Sequence, residues 1–270
     1  MIASARRTLG AIARVPLDHT GARWALVREP IGLDEERIAG RTTLEALRLL
    51  DDLLIHEPGA AVGPGDAASL TIPERDLLLA ATWCLGWGPK ISGTLTCTSC
   101  GHPFDFDFSL ADLADEVRAA TGVLPLENGV YTAGSVRFRL PTGEDERAVV
   151  GLPEAEAERA LLSRCLVEGD PATAGDVASG AMETVGSGVD IAFDARCAEC
   201  DHVHSVRFQI QDYLLGALAS NWAALVEDVH RLALAYRWSL DEILALPRSR
   251  RRAFITLLDG DSIPRGRMPA

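Results

Sequence analysis

The chain has 270 residues, nearly half of them hydrophobic, and a formal net charge of -13. That length supports one large domain or two modest ones around a sizeable core. The acidic balance repels phosphate backbones, which sets nucleic acid aside as an expected partner. No run of about 18 apolar residues is present, so no membrane span is expected. Lys90 is the only lysine among many arginines, a bias of composition and not of chemistry.

Met1 to His19 carries Arg6, Arg7 and Arg14 with no acid before Asp18, and lacks the apolar core of a secretory signal. It reads as a short basic helix or arm, and the chain as cytosolic. In a reducing compartment closely spaced cysteines are metal ligands before they are disulfides. After the arm, residues 1–55 read as helical, with Leu44, Leu47, Leu50, Leu53 and Leu54 at helical spacing. His56 to Ser69 is Gly-, Ala- and Pro-rich and reads as a loop or linker. Thr71-Ile72-Pro73-Glu74 opens a helix with Thr71 as N-cap, running to about Leu85 and stopping at Gly86 and Gly88-Pro89.

Ile91, Gly93, Leu95 and Cys97 then alternate with polar residues, which is strand periodicity. Cys97-Thr98-Ser99-Cys100-Gly101 follows as a tight tip. Phe104, Phe106 and Phe108 alternate with Asp105 and Asp107 in a returning strand, and a helix is expected over Leu110 to Ala120. The same unit recurs one hundred residues later without a gap. Ile91/Ile191, Cys97/Cys197, Cys100/Cys200, His102/His202, Phe108/Phe208 and Asp112/Asp212 are identical pairs, so 91–113 and 191–213 form an internal repeat. A helix is expected before each copy, 75–85 and 157–167, with Cys84 and Cys165 in comparable places. Between the copies Val136, Phe138 and Leu140 mark a further strand ended by Pro141, and 168–188 is small and polar with a short helix near 174–185.

The C-terminal part reads as helical. Leu214, Leu218, Trp222, Leu225, Val229, Leu232 and Tyr236 form one apolar stripe over 211–236. Ser239-Leu240-Asp241-Glu242 is a capping box opening a short helix before Pro247. A last helix spans about Ser249 to Leu258, and the tail after Gly260 is expected to be loose.

The two CxxC tips are the strongest chemical signal. Two thiolates two residues apart on a tight turn can grip one zinc, and two such knuckles complete a four-sulfur shell with no open position, hence a structural metal and not a catalytic one. Their separation is far longer than the usual ribbon interval of about 15–20 residues. Separate sites completed by His102, His202 or His204, or metal-free thiols, are the alternatives. The reading adopted is one structural Zn2+ per chain on Cys97, Cys100, Cys197 and Cys200. Cys84 and Cys165 sit in apolar helices and read as core. No HExxH, phosphate-binding loop or nucleophile elbow is present, so no enzyme is expected. Asp105 and Asp107 read as a solvated strand face. Arg248, Arg250, Arg251 and Arg252 form a basic run that reads as a solvated or salt-bridged helix face, with phosphate contact as the other option.

Several elements together resemble the baseplate hub assembly chaperone family of T-even-type contractile phages and related contractile injection systems. They are the Arg75-Asp76 pair in IPERDLLLA, CTSCG, FRLPTGED, LLSRC at 161–165, CAECDH, and the tail VHRLALAYRWSLDEILALPRSRRRAF. The similarity covers about 70–258. Departures are the missing Pro in both knuckles, Asp201 in place of the usual Gly, and Arg237 where Gly is usual. The resemblance implies tail morphogenesis in the cytoplasm of a bacterial producer cell, with hub or spike proteins as partners, and leaves incorporation into the particle open.

The expected fold is α+β, with helical N- and C-terminal parts around a pseudo-duplicated β-hairpin zinc-ribbon core. Its segments are 1–66, a 67–213 ribbon domain, a 214–262 helical region and a 263–270 tail. Trp222, Trp238 and Phe254 are the expected apolar anchors for a protein partner, and Arg248, Arg250, Arg251 and Arg252 its basic rim. The alternative function is a zinc-ribbon regulator that binds nucleic acid through that arginine cluster.

Overall fold

A computed structural model describes residues 10–169 and 171–261. Residues 1–9 of the expected basic arm and the tail from 262 lie outside the described residues.

The N-terminal part is not the helical segment expected. Strands β1 (Ile12–Pro16) and β2 (Trp24–Arg28) pair antiparallel, and helices α1 (Gly32–Glu36) and α2 (Thr43–Leu53) follow. Strand β3 (Leu54–Ile55) closes a three-stranded sheet in the order β1-β2-β3. The alternation is short: Val15, Leu17, Ala25 and Val27 are buried while their neighbours are not. Five-residue strands of this kind are easily lost in a Leu- and Ala-rich sequence. Helix α2 starts as its sequence requires, with Thr42 accepting from the Glu45 amide and Glu45 reaching back, and it buries Leu47, Leu50 and Leu53.

Helix α3 (Ile72–Trp87) begins at the expected N-cap, Thr71, which the structure closes as a capping box: the Thr71 amide donates to Glu74 Oε2 at 2.9 Å. It ends at Gly88, whose φ of +97° suits glycine. Strands β4 (Lys90–Thr96) and β5 (Pro103–Ser109) form the first hairpin and run into α4 (Leu110–Ala120), capped by Ser109. Next comes a sheet of β6 (Leu126–Glu127), β7 (Val130–Ala133), β8 (Val136–Phe138) and β9 (Leu166–Glu168), in that order. Helices α5 (Gly143–Val149) and α6 (Glu154–Cys165) lie between β8 and β9. Helix α7 (Pro171–Gly186) leads to the second hairpin, β10 (Asp190–Arg196) and β11 (Val203–Gln209), which runs into α8 (Ile210–Ser220).

The second hairpin is therefore preceded directly by α7, not by the Cys165 helix. Cys165 is followed by a strand and another helix, so the parallel between Cys84 and Cys165 does not hold in space. The expected 211–236 helix is also divided. Asn221 separates α8 from α9 (Trp222–Tyr236), and α10 (Leu240–Leu244) and α11 (Arg248–Asp261) complete the described chain.

The architecture is α+β, with small antiparallel sheets set among helices. One apolar core gathers Leu17, Val27, Leu50, Leu53, Leu78, Leu79, Ile91, Leu110, Ile210 and Leu214. It thus joins the N-terminal sheet to α3 and to the feet of both hairpins, drawing on residues on either side of positions 66 and 213. The four-stranded sheet packs on α7 through Phe138, Tyr131, Ala178 and Val185. The last three helices enclose a small core of their own, Leu232, Ile243 and Ile255, with Tyr236, Trp238 and Phe254 against it.

Candidate metal centre

The two hairpins are built alike to the residue. In the first, Ile91 pairs with Phe108 and Thr96 with Pro103; in the second, Ile191 pairs with Phe208 and Arg196 with Val203. Each knuckle closes with the same two backbone bonds. The Cys97 amide donates to the His102 carbonyl and the Gly101 amide to the Cys97 carbonyl, both at 2.9 Å. In the other copy Cys197 donates to His202 at 2.9 Å and Asp201 to Cys197 at 3.0 Å. This turn needs a positive φ after the second cysteine. Gly101 has +76° and Asp201 +58°, so the aspartate takes the left-handed conformation that glycine takes in the first copy.

The hairpins face one another through their aromatic sides. Phe108 meets Phe193 and Phe208, and Phe106 meets Phe193, with ring centres 4.9 to 5.5 Å apart. This packing brings the tips together. The sulfurs of Cys97, Cys100, Cys197 and Cys200 all lie within 4.8 Å of one another. Cys97 Sγ is 3.6 Å from Cys200 Sγ, and Cys100 Sγ is 3.8 Å from Cys197 Sγ. The near-equality is what a pseudo-twofold exchange of the two copies requires. A tetrahedral shell with metal–sulfur bonds of about 2.3 Å has sulfur–sulfur edges of about 3.8 Å, so the cluster fits one thiophilic ion.

Four sulfurs this close cannot all ionise without a cation among them. Burial pushes the Cys97 thiol up, but the Cys100 amide and the His204 ring, with further donors, outweigh it and hold Cys97 well below the usual thiol range. Cys100 is driven the other way. The His102 amide draws it down, but desolvation and the sulfurs of Cys200, Cys97 and Cys197 prevail. A bound cation removes this conflict by stabilising every thiolate at once. The four cysteines could therefore hold a metal ion.

His204 was read as a ligand only for separate sites. Its Nε2 lies 3.4 Å from Cys97 Sγ and its ring lies against Phe104, at the edge of the sulfur cluster. The repeat itself carried the signal, since His204 stands where the first copy has Phe104. Cys165 is buried and Cys84 half-buried, each with its thiol pushed up by burial, as expected of core cysteines.

The expected partner-binding residues scatter. Trp222 is 51% exposed at the start of α9. Trp238 and Phe254 are half-buried against each other and Tyr236. The basic run divides by helical phase: Arg250 and Arg252 face outward, whereas Arg248 and Arg251 are buried. Arg251 Nη2 reaches Glu35 Oε1 at 2.6 Å and its Nε reaches Asp228 Oδ2 at 3.3 Å. Arg248 Nη1 meets Glu35 Oε2 at 2.9 Å, and its guanidinium lies 4.1 Å over Trp87. Those two arginines therefore belong to an internal cluster and not to an exposed rim. Sequence reasoning missed their carboxylate partners, Glu35 and Asp228.

No family model, curated protein or solved structure matches the chain.

Proposed function

We propose that the chain is a non-enzymatic assembly protein stapled by one structural zinc, which acts on the baseplate hub of a contractile phage tail or injection system. The observation that carries the zinc reading is the closed four-sulfur cage. Sulfur donors select a soft or borderline cation, tetrahedral edges suit zinc, and four protein ligands leave no position for substrate or water. The hub reading rests on the resemblance of 70–258, above all of the tail segment that builds α9 to α11. The helices it belongs to enclose a small core of their own, and Trp222, ahead of the motif on the same α9, faces solvent. In this reading the protein works in the cytoplasm of the producing cell and meets hub or spike proteins through α9 to α11. Trp222, Arg250 and Arg252 lie on the outward side of that contact, and Trp238 and Phe254 shape it from beneath.

The competing reading, a nucleic-acid-binding regulator, needs the arginine run as a phosphate-contacting surface. Burial of Arg248 and Arg251 against carboxylates takes two of the four from it, and the net charge of -13 opposes it further. Co-production with candidate tail proteins, followed by affinity capture and a salt-titrated duplex-binding assay, separates the two. Capture of a hub or spike component with no duplex binding at physiological salt is the expected result. Tight, steeply salt-dependent duplex binding with no tail protein captured would overturn the assembly reading.

A further inference from the structure

A cleft of about 940 Å³ lies away from the cysteine knuckles. Its walls are the β1–β2 loop with Asp18 and Arg23, the start of α3 with Glu74, and the segment Val123 to Leu126 leading into β6. Tyr131 lies in it, nearly buried, with its phenol pushed up to about 12 by desolvation and by the carboxylates of Glu74 and Asp18. Arg23 is ion-paired with Glu74, and Arg139 with Asp145. Among the described residues the Asp18 carboxylate bonds within its own turn, to the amide and hydroxyl of Thr20. Asp18 is thus, among the described residues, the charge on the cleft wall that these pairs leave uncompensated.

The cleft borders a free sheet edge. Strand β6 pairs with β7 on one side only. Asn128 and Gly129 make the two-residue turn, with φ of +52° and +78°, so Glu127 and Val130 form the hydrogen-bonded pair beside it. Leu126, opposite Tyr131, is then a non-hydrogen-bonded position, and its N–H and C=O point away from β7. The next step obeys the same alternation: the Thr132 amide donates to the Pro125 carbonyl at 3.1 Å. Leu126 therefore offers one donor and one acceptor outward, beside an apolar lip of Val123, 63% exposed, and Leu126 itself.

We propose that this edge and cleft bind an extended, basic segment of a protein partner by strand addition to β6. Backbone bonds to Leu126 would fix the segment. Its residue opposite Leu126 shares the face of Leu126 and Tyr131, so a lysine or arginine there lays its apolar stem on those side chains and its charge near Asp18. The exposed Glu127 and the acidic chain as a whole favour the same partner sign. This inference does not depend on the hub reading. A segment from any basic partner satisfies it, and failure to capture a hub protein leaves it standing.

The test uses the full chain and short blocked peptides of alternating valine and lysine, or valine and glutamate, followed by fluorescence anisotropy. The valine–lysine peptide is expected to bind saturably and the valine–glutamate peptide at least about tenfold more weakly. Leu126→Pro removes the outward N–H together with the Leu126 side chain of the lip, at an edge position where proline is tolerated, and is expected to weaken binding by about fivefold or more, whereas Leu126→Ala, which keeps the N–H, is expected to weaken it less. Asp18→Asn keeps the turn and is expected to weaken the valine–lysine peptide about threefold to tenfold. Thermal melts of the variants check that the fold is retained. Absence of saturable binding, equal binding of both peptides, or unchanged affinity in a folded Leu126→Pro variant would overturn the proposal.

Discussion

Two clusters in this molecule join segments far apart in the chain. At the hairpin tips Cys97 and Cys100 meet Cys197 and Cys200. Beneath the C-terminal helices Glu35 meets Arg248 and Arg251, which lie 213 and 216 positions away. The first cluster is made of like groups. Its four thiols compete for charge, a conflict that a bound cation would relieve. The second is made of unlike groups: two guanidiniums face the carboxylates of Glu35 and Asp228, so opposite charges meet directly, although Arg251 Nη1 is buried without a hydrogen-bond partner among the described residues. If a metal ion occupies the first, removing that ion would loosen the cluster reversibly. The second forms with the fold itself, and desolvation of its charges offsets much of their attraction. Around it Ile31 and Pro247 form a β-bridge, and the Ser249 amide donates to Glu29 Oε1 at 2.6 Å, so helix α11 is seated in one register on the N-terminal part.

Removing the ion or one of its ligands is expected to have the largest effect. Cys197→Ser, or chelation of the wild type, should lower the thermal midpoint further than any change in the charged cluster. Structural zinc contributes on the order of 10 kcal/mol in small domains, although a chain with its own core depends on it less. Cys84→Ser should leave the midpoint nearly unchanged. Equal melting of wild type, the Cys197 variant and chelated protein would remove the distinction between the two clusters.

Breaking the charged cluster should come second. Arg251→Ala leaves Glu35 and Asp228 buried without that partner, which costs roughly 3–5 kcal/mol in comparable sites. Denaturant unfolding should show the loss, and hydrogen exchange should place it in α9 to α11 and not in the hairpins. Protection lost uniformly across the chain would show that the C-terminal helices are not a separately seated unit.

A third carboxylate sharpens the contrast through pH. Asp76 on α3 is buried, accepts from the Val189 amide at 3.0 Å, and has its pKa raised to about 6 by desolvation, against the attraction of Arg75. Its folded pKa lies above its unfolded value. The stability it lends is therefore fully present below about pH 4 and lost as pH rises through about 6, a difference of roughly 3 kcal/mol. Asp76→Asn should flatten that part of the stability–pH profile. A profile unchanged by the substitution would contradict the burial argument.

The smallest expected effect has the opposite sign. Arg237 ends α9 with a φ of +58°, a left-handed position that costs a non-glycine residue roughly 1 kcal/mol. Arg237→Gly should raise the unfolding free energy by about that amount, and a decrease would mean that the arginine side chain compensates for its backbone.

The difference between the two clusters also explains what could be read before the structure. The cysteines announce themselves, because CxxC at hairpin tips has few meanings and the second copy follows the first in phase from Ile91 to Asp112. The N-cap at Thr71 and the capping box at Ser239 placed two helix starts for the same reason: a local motif satisfies local amides. Arg251 and Glu35 carry no such mark. Charged residues are read as solvent-facing by default, and only the fold brings a short N-terminal helix under the last one. The N-terminal strands were hidden because each alternates over too few residues. The break at Asn221 was hidden because α8 and α9 continue a single heptad-like stripe, while the Asn221 amide group donates to Glu35 at 3.1 Å, a partner far away in the chain.

The most direct test of the metal account is elemental analysis of protein purified without chelator, joined to thiol labelling of the native chain. The expected result is one zinc per chain, with Cys97, Cys100, Cys197 and Cys200 unreactive until a chelator is added. Metal-free protein of unchanged stability, with those four thiols freely labelled, would contradict it.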